Sequence, residues 1–106
     1  MPIFAGLEVA MYVVIRKFNR MSSVAEAARR AESGLGRMLK QTPGFQGYCV
    51  FDAGDGVGGS ISLFENQEAA IAANEKALTW IRASLTDVID GEPEITMGVV
   101  LATVTP

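Results

Sequence analysis

An asparagine stands where an apolar residue is expected. In "SISLFENQEAAIAANEKALTWI", residues 60–81, helical spacing of about 100° per residue brings Ala70, Ala77 and Ile81 together, with Leu78 and Leu85 on one flank. Asn74 projects from the middle of that stripe. Burying an amide without partners costs about 1–3 kcal/mol, so Asn74 must bond the backbone, bond water or line a polar spot in a cavity. It is either a satisfied structural amide or part of a pocket. Trp80 lies off the stripe, near its edge, where its bulk is expected to pack against a neighbouring helix, the alternative being that it closes one end of a helix–sheet cleft. Other reactive chemistry is sparse. The chain has no histidine, which removes the usual zinc constellations, a Ser-His-Asp triad and an imidazole ligand for haem iron. The single cysteine, Cys49, cannot form an internal disulfide, and between Tyr48 and Val50 it reads as a small buried hydrophobe rather than a nucleophile.

These residues need a scaffold, and 106 residues set its scale at one domain with a modest core. The hydrophobic fraction of 49% and mean hydropathy of +0.25 are rich for a lone small domain, so some apolar surface is expected to meet a partner. Nine basic and twelve acidic residues give a net charge of -3 with no run of Lys or Arg, and nucleic-acid binding is not expected. The opening "MPIFAGLEVAMYVVI" carries Glu8 and lacks a basic start, unlike a secretory signal, and no apolar run is long enough to span a bilayer. The expectation is a soluble, cytoplasmic protein without membrane association.

"MYVVIRKFN", residues 11–19, is rich in β-branched and aromatic residues and reads as a first strand. Ser22 and Ser23 then offer an N-cap, with Glu26 placed for a capping box, and apolar residues recur from Val24 to Leu39 at helical spacing. Gly34 and Gly36 weaken this first helix by about 1 kcal/mol each and mark either a close approach or a frayed last turn. "QTPGF", residues 41–45, ends it. Residues 47–52 and 58–64 read as a hairpin with a flexible tip at the glycine-rich "AGDGVG", which matches neither phosphate-binding fingerprint. Asn66 caps a second helix running to about Leu85, and "EITMGVVLATV", residues 94–104, supplies the last strand. The order is β-α-β-β-α-β.

Both faces of the strands look apolar: Tyr12 and Val14 oppose Val13 and Ile15, Tyr48 and Val50 oppose Cys49 and Phe51, and Val99 and Leu101 oppose Val100 and Ala102. Two helices cover one face only. A four-stranded sheet about 19 Å wide and 18 Å long leaves roughly 350 Å² of the other in projection. That rivals the largest apolar patch of a typical monomer, and a twin sheet across a two-fold axis is the commonest cover. A homodimer through the sheet face is expected.

The element order, the "PGF" turn before the second strand and "SLFENQEAA" running from strand through cap to helix resemble the antibiotic-biosynthesis monooxygenase-type domain of the dimeric α/β-barrel superfamily. The resemblance covers Met11 to Val104 and implies a ferredoxin-like α+β fold, a four-stranded antiparallel sheet with two helices on one face, within a single domain at 11–106 after an N-terminal extension at 1–10. Many members hold an aromatic or haem-like ligand between sheet and helices; those that oxidise polyphenols need no metal or flavin, and others have no assigned activity. Where several catalytic members carry a histidine on the second helix, this chain has Ala73 and Asn74, which removes the haem ligand. The resemblance thus implies a cofactor-independent monooxygenase acting on a small aromatic or phenolic substrate, bound by Asn74, Trp80 and Tyr48, with no catalytic residue and no metal assigned. None of these three types ionises near neutrality unperturbed; their role would be to hydrogen-bond a phenol or steady an oxyanion. The alternative is a non-catalytic ligand-binding or structural dimeric module.

Two features stay outside that scheme. Arg16 and Lys17 are charged within the first strand and are expected to snorkel to the sheet edge, the alternative being that one guides an anionic ligand into the cleft. "DVIDGEPE", residues 87–94, reads either as a solvated linker or as a cover for the pocket mouth.

Overall fold

The computed structural model describes residues 11–106, and the extension at 1–10 lies outside the described residues. Strand β1 (Tyr12–Phe18) leads to helices α1 (Val24–Ser33) and α2 (Leu35–Lys40), then β2 (Phe45–Gly54), β3 (Val57–Phe64), α3 (Gln67–Ser84) and β4 (Glu94–Val99). The strands form one antiparallel sheet in the order β2-β3-β1-β4. This is the ferredoxin-like α+β arrangement expected from the element order.

The expected first helix is two helices. Gly34 separates α1 from α2, and a Cβ there would come within 2.6 Å of the Trp80 ring. The glycine is thus a close approach between α1–α2 and α3, and Trp80 packs as its bulk suggested. Ser23 caps α1 by accepting from the Glu26 N–H at 3.1 Å, but the Glu26 carboxylate turns to Arg29 and Arg30 instead of completing the capping box. Asn66 caps α3 by accepting from the Ala69 N–H at 2.8 Å.

The hairpin tip is a tight two-residue turn. Asp55 and Gly56 both have positive φ, 55° and 75°, the two-residue turn whose twist matches the flanking strands, so β2 and β3 pair almost to the tip. The last strand is shorter than expected. It ends at Val99, with one further bond from the Val100 N–H to the Met11 carbonyl; Leu101 and Val104 are exposed.

Paired residues in an antiparallel sheet share a face, so the register sorts every strand position. Val14, Arg16, Phe18, Ser60, Ser62, Phe64, Tyr48 and Val50 face the helices, and with Leu35, Leu39 and the α3 stripe Ala70, Ala73, Ala77 and Ile81 they make the core. Val13, Ile15, Cys49, Phe51, Ile61 and Leu63 share the opposite face, which no helix among the described residues covers. Cys49 is therefore exposed, contrary to the reading of it as buried: its composition pointed inward, but strand alternation gives the inner positions to Tyr48 and Val50.

Candidate functional site

β1 lies between β3 and β4, so it has no edge. Arg16, on its inner face, has no route to solvent and is fully buried, the largest side chain to be so; only Lys17, on the other face, is exposed. The expectation that both would snorkel fails for Arg16 because the strand is internal. Room for the guanidinium comes from small neighbours on β3, Ser60 and Ser62.

Arg16 answers what the Asn74 amide faces. Asn74 Oδ1 accepts from Arg16 Nε at 3.0 Å. Arg16 Nη1 donates to Ser60 Oγ and Ser62 Oγ, both at 3.4 Å, long for such bonds, and Nη2 has no partner among the described residues. The guanidinium carries five N–H donors, and every partner it has among the described residues is neutral. Burial lowers the Arg16 pKa, opposed by the nearby Tyr48. An arginine nevertheless stays charged at neutral pH. A buried ion without a counter-charge costs several kcal/mol in lost hydration.

Next to this network is a cavity between the sheet and the helices. Its walls are mostly apolar: Phe18 and Val50 from the sheet, Leu35 from α2, Trp80 and Ile81 from α3, and Met21 and Ile89 from the connections. Tyr48 and Ser60 supply the polar part of the wall. Burial pushes the Tyr48 phenol up, partly offset by the Arg16 charge. The cavity holds about 350 Å³ of empty space with its opening included, of which about 30 Å³ is available to water centres. One water needs about 10–15 Å³ by that measure, so a small ligand enters only by displacing flexible walls such as Met21.

Of the three residues expected to bind substrate, Tyr48 and Trp80 line the cavity, and Asn74 stands behind it, bracing Arg16. The 87–94 segment is not a free linker. Val88 is buried, Ile89 lines the cavity and bridges to Met21, and Asp87 is held by both terminal nitrogens of Arg30 at 2.7 and 2.9 Å. The serine pair was missed as part of the site, and Arg16 was offered only through the alternative that it or Lys17 guides an anionic ligand. The signal was present: Arg16 shares strand parity with Val14 and Phe18, and "SIS" at 60–62 breaks an apolar strand with polar groups on one face. Only the register of β1 against β3 shows that these meet.

No protein-family model matches the chain, and no curated protein sequence does. Solved structures do. The monooxygenase from the gene ActVA-Orf6 of Streptomyces coelicolor, solved with the ligand nanaomycin D, superimposes with a TM-score of 0.71 over 99% of both chains at 16% identity. SnoaB, a cofactor-independent oxygenase from Streptomyces nogalater, gives 0.62 over 90% of this chain and 95% of its own at 14% identity. A Nitrosomonas europaea protein, provisionally named an antibiotic biosynthesis monooxygenase, gives 0.69 over 88% and 92% at 21% identity. At such identities the likeness is one of fold. With its sheet order, its helices on one face and these neighbours, the chain has the ferredoxin-like fold of the antibiotic-biosynthesis monooxygenase-type proteins.

Proposed function

We propose that this protein is a cofactor-independent monooxygenase that oxidises a small, electron-rich aromatic substrate in the cavity between the sheet and α3. The observation that carries the reading is an apolar cavity whose wall residues Ser60 and Tyr48 adjoin a buried cation with no counter-charge among the described residues, in a fold shared with oxygenases. The substrate supplies the electrons. For an anthrone, the central CH₂ becomes C=O, one atom of dioxygen enters the product and the other leaves as water with the two hydrogens. The four electrons lost by carbon are the four that dioxygen gains. In this reading Tyr48 and Trp80 contact the ring system, and Asn74 acts through Arg16 as a positioning residue.

The test is oxygen uptake and absorbance with anthrone and substituted hydroquinones in chelator-treated buffer. The expected result is one dioxygen consumed per anthrone, well above the protein-free rate; uptake no faster than that background overturns the reading. A second reading, ligand binding without turnover, is favoured by one observation: among the described residues, no side chain of a type that ordinarily ionises near neutrality lines the cavity. It predicts ligand-dependent quenching of Trp80 with no oxygen consumed.

We also propose that the open sheet face meets the same face of a second copy. Val13, Ile15, Ile61 and Leu63 form a contiguous apolar surface there, and the spaces above Gly47 and Gly98 are empty. Light scattering at micromolar concentration is expected to give twice the 11.3 kDa subunit mass, and a monomer would refute the pairing.

A further inference from the structure

Arg16 is an expensive residue at its position. It occupies the inner face of an internal strand, it is fully buried, and its hydrogen-bond partners are two hydroxyls and an amide. Nη2 has no partner among the described residues, although each buried N–H that is left unmade adds to the cost of burying the charge. A fold that needed only volume here would be served as well by methionine or leucine. The surroundings are also one-sided. Among the described residues the cavity walls include no carboxylate, and two of the wall residues, Ser60 and Tyr48, are neighbours of the guanidinium. A cation behind the Ser60 wall of an apolar chamber, with a donor to spare and no anion among the described residues, lacks one component: a ligand that brings the negative charge.

We propose that the cavity is a binding site for a small aromatic ligand bearing an anionic oxygen, such as a carboxylate, phenolate or enolate, with Arg16 as its counter-charge. The planar guanidinium suits such an oxygen because it offers directed N–H donors, and the bond is charge-assisted in a water-poor setting. Asn74 fixes the orientation of the fork through Nε, which leaves the terminal nitrogens for the ligand. The Ser60 and Ser62 bonds to Nη1, at 3.4 Å, are long enough to be exchanged for a better acceptor. The inference rests on the ligand-cavity reading but not on oxygenation. If the oxygenase reading holds, it also names the substrate form, since a chain with no histidine and no cavity carboxylate favours ionisation of its substrate through the fixed charge of Arg16.

The test compares 2-naphthoate with 2-naphthamide, probes of nearly equal shape that differ in charge, by quenching of Trp80, the single tryptophan and a wall of the cavity. Wild-type protein is expected to bind the naphthoate at least tenfold more tightly. Arg16→Met is expected to lose that preference while melting at or above the wild-type temperature, and Arg16→Lys, which keeps the charge but not the fork, to retain only part of it. Equal binding of the two probes by wild type, or a preference that survives in Arg16→Met, overturns the inference and leaves the cavity standing. Binding of neither probe at millimolar concentration removes the cavity reading and the inference together. Tight, charge-selective binding without oxygen uptake from any substrate leaves the inference intact and ends the oxygenase reading. Should Arg16→Met fail to fold, the arginine is structural; the wild-type comparison and Arg16→Lys then decide, and equal probe affinities in both would overturn the site.

Discussion

Two arginines in this small chain are treated in opposite ways. Arg30, on α1 and partly exposed, has its donors engaged: Nε meets Glu26 at 2.7 Å, both terminal nitrogens meet Asp87, and Nη1 also reaches the Ser84 carbonyl. Arg16, fully buried, has two hydroxyls, an amide and an empty place. Stability alone would distribute partners the other way. Carboxylates on the surface are screened and contribute little, whereas a buried cation gains most from a counter-charge. Arg30 pins the α3–β4 connection to α1 and so keeps Ile89 over the cavity; Arg16 is left short inside the protein, beside that cavity. The difference separates a charge used to hold the chain together from one held ready for something else.

The comparison breaks most directly if Arg16 is given what Arg30 has. Ser62→Asp sets a carboxylate beside Nη1 and should occupy the charge. If a charge-assisted bond contributes about 1.5–3 kcal/mol, 2-naphthoate affinity should fall about 10–100-fold by fluorescence titration, with the amide little affected. Undiminished naphthoate binding would mean that the ligand does not use Arg16.

Asn74→Leu should come next in size. It removes the one bond of ordinary length to the buried guanidinium and is expected to cost about 1–3 kcal/mol in urea unfolding. An unchanged midpoint would show Arg16 to be satisfied by other means. Arg30→Ala should destabilise less than Asn74→Leu, and part of its effect should vanish in 1 M salt, as expected for exposed pairs.

The smallest effect lies in the acid limb. Hydrogen bonds from Arg29 and Arg30 hold Glu26 at about 2, below its ordinary 4.5, and Arg30 likewise lowers Asp87. Both carboxylates are depressed in the folded state, so their contribution is complete above their unfolded values. It is lost as pH falls from about 4.5 toward 2. Melting curves across that window should fall gently for wild type and more gently for Arg30→Ala. Arg16→Met should leave the slope unchanged, because no carboxylate among the described residues partners Arg16; a change in slope there would reveal an acidic neighbour.

Much of the scaffold was legible in the sequence because local patterns report local structure. Ser23, Asn66 and the Asp55–Gly56 turn set element ends by their own hydrogen-bonding and backbone preferences, and the alternation in β1 and β2 gave two apolar faces. Asn74 stood out as a polar break in a buried stripe, and Tyr48 and Trp80 line the cavity. What the pattern could not supply was pairing. Arg16 reads as a strand-edge charge until β1 is known to lie between β3 and β4, and Cys49 reads as core until its face is known to be the uncovered one. The break at Gly34 depends on an indole 46 positions away in the chain. These are facts of register and of contact distant in sequence, and single-strand periodicity carries neither.

The sharpest single measurement watches both arginines at once. In a titration of the protein with 2-naphthoate followed by guanidinium NMR, the Arg16 Nε–H resonance should move saturably, at the concentrations that quench Trp80, while that of Arg30 stays in place. An Arg16 signal that does not move as Trp80 is quenched, or one that drifts in parallel with Arg30, would mean that the buried charge is not the ligand's partner.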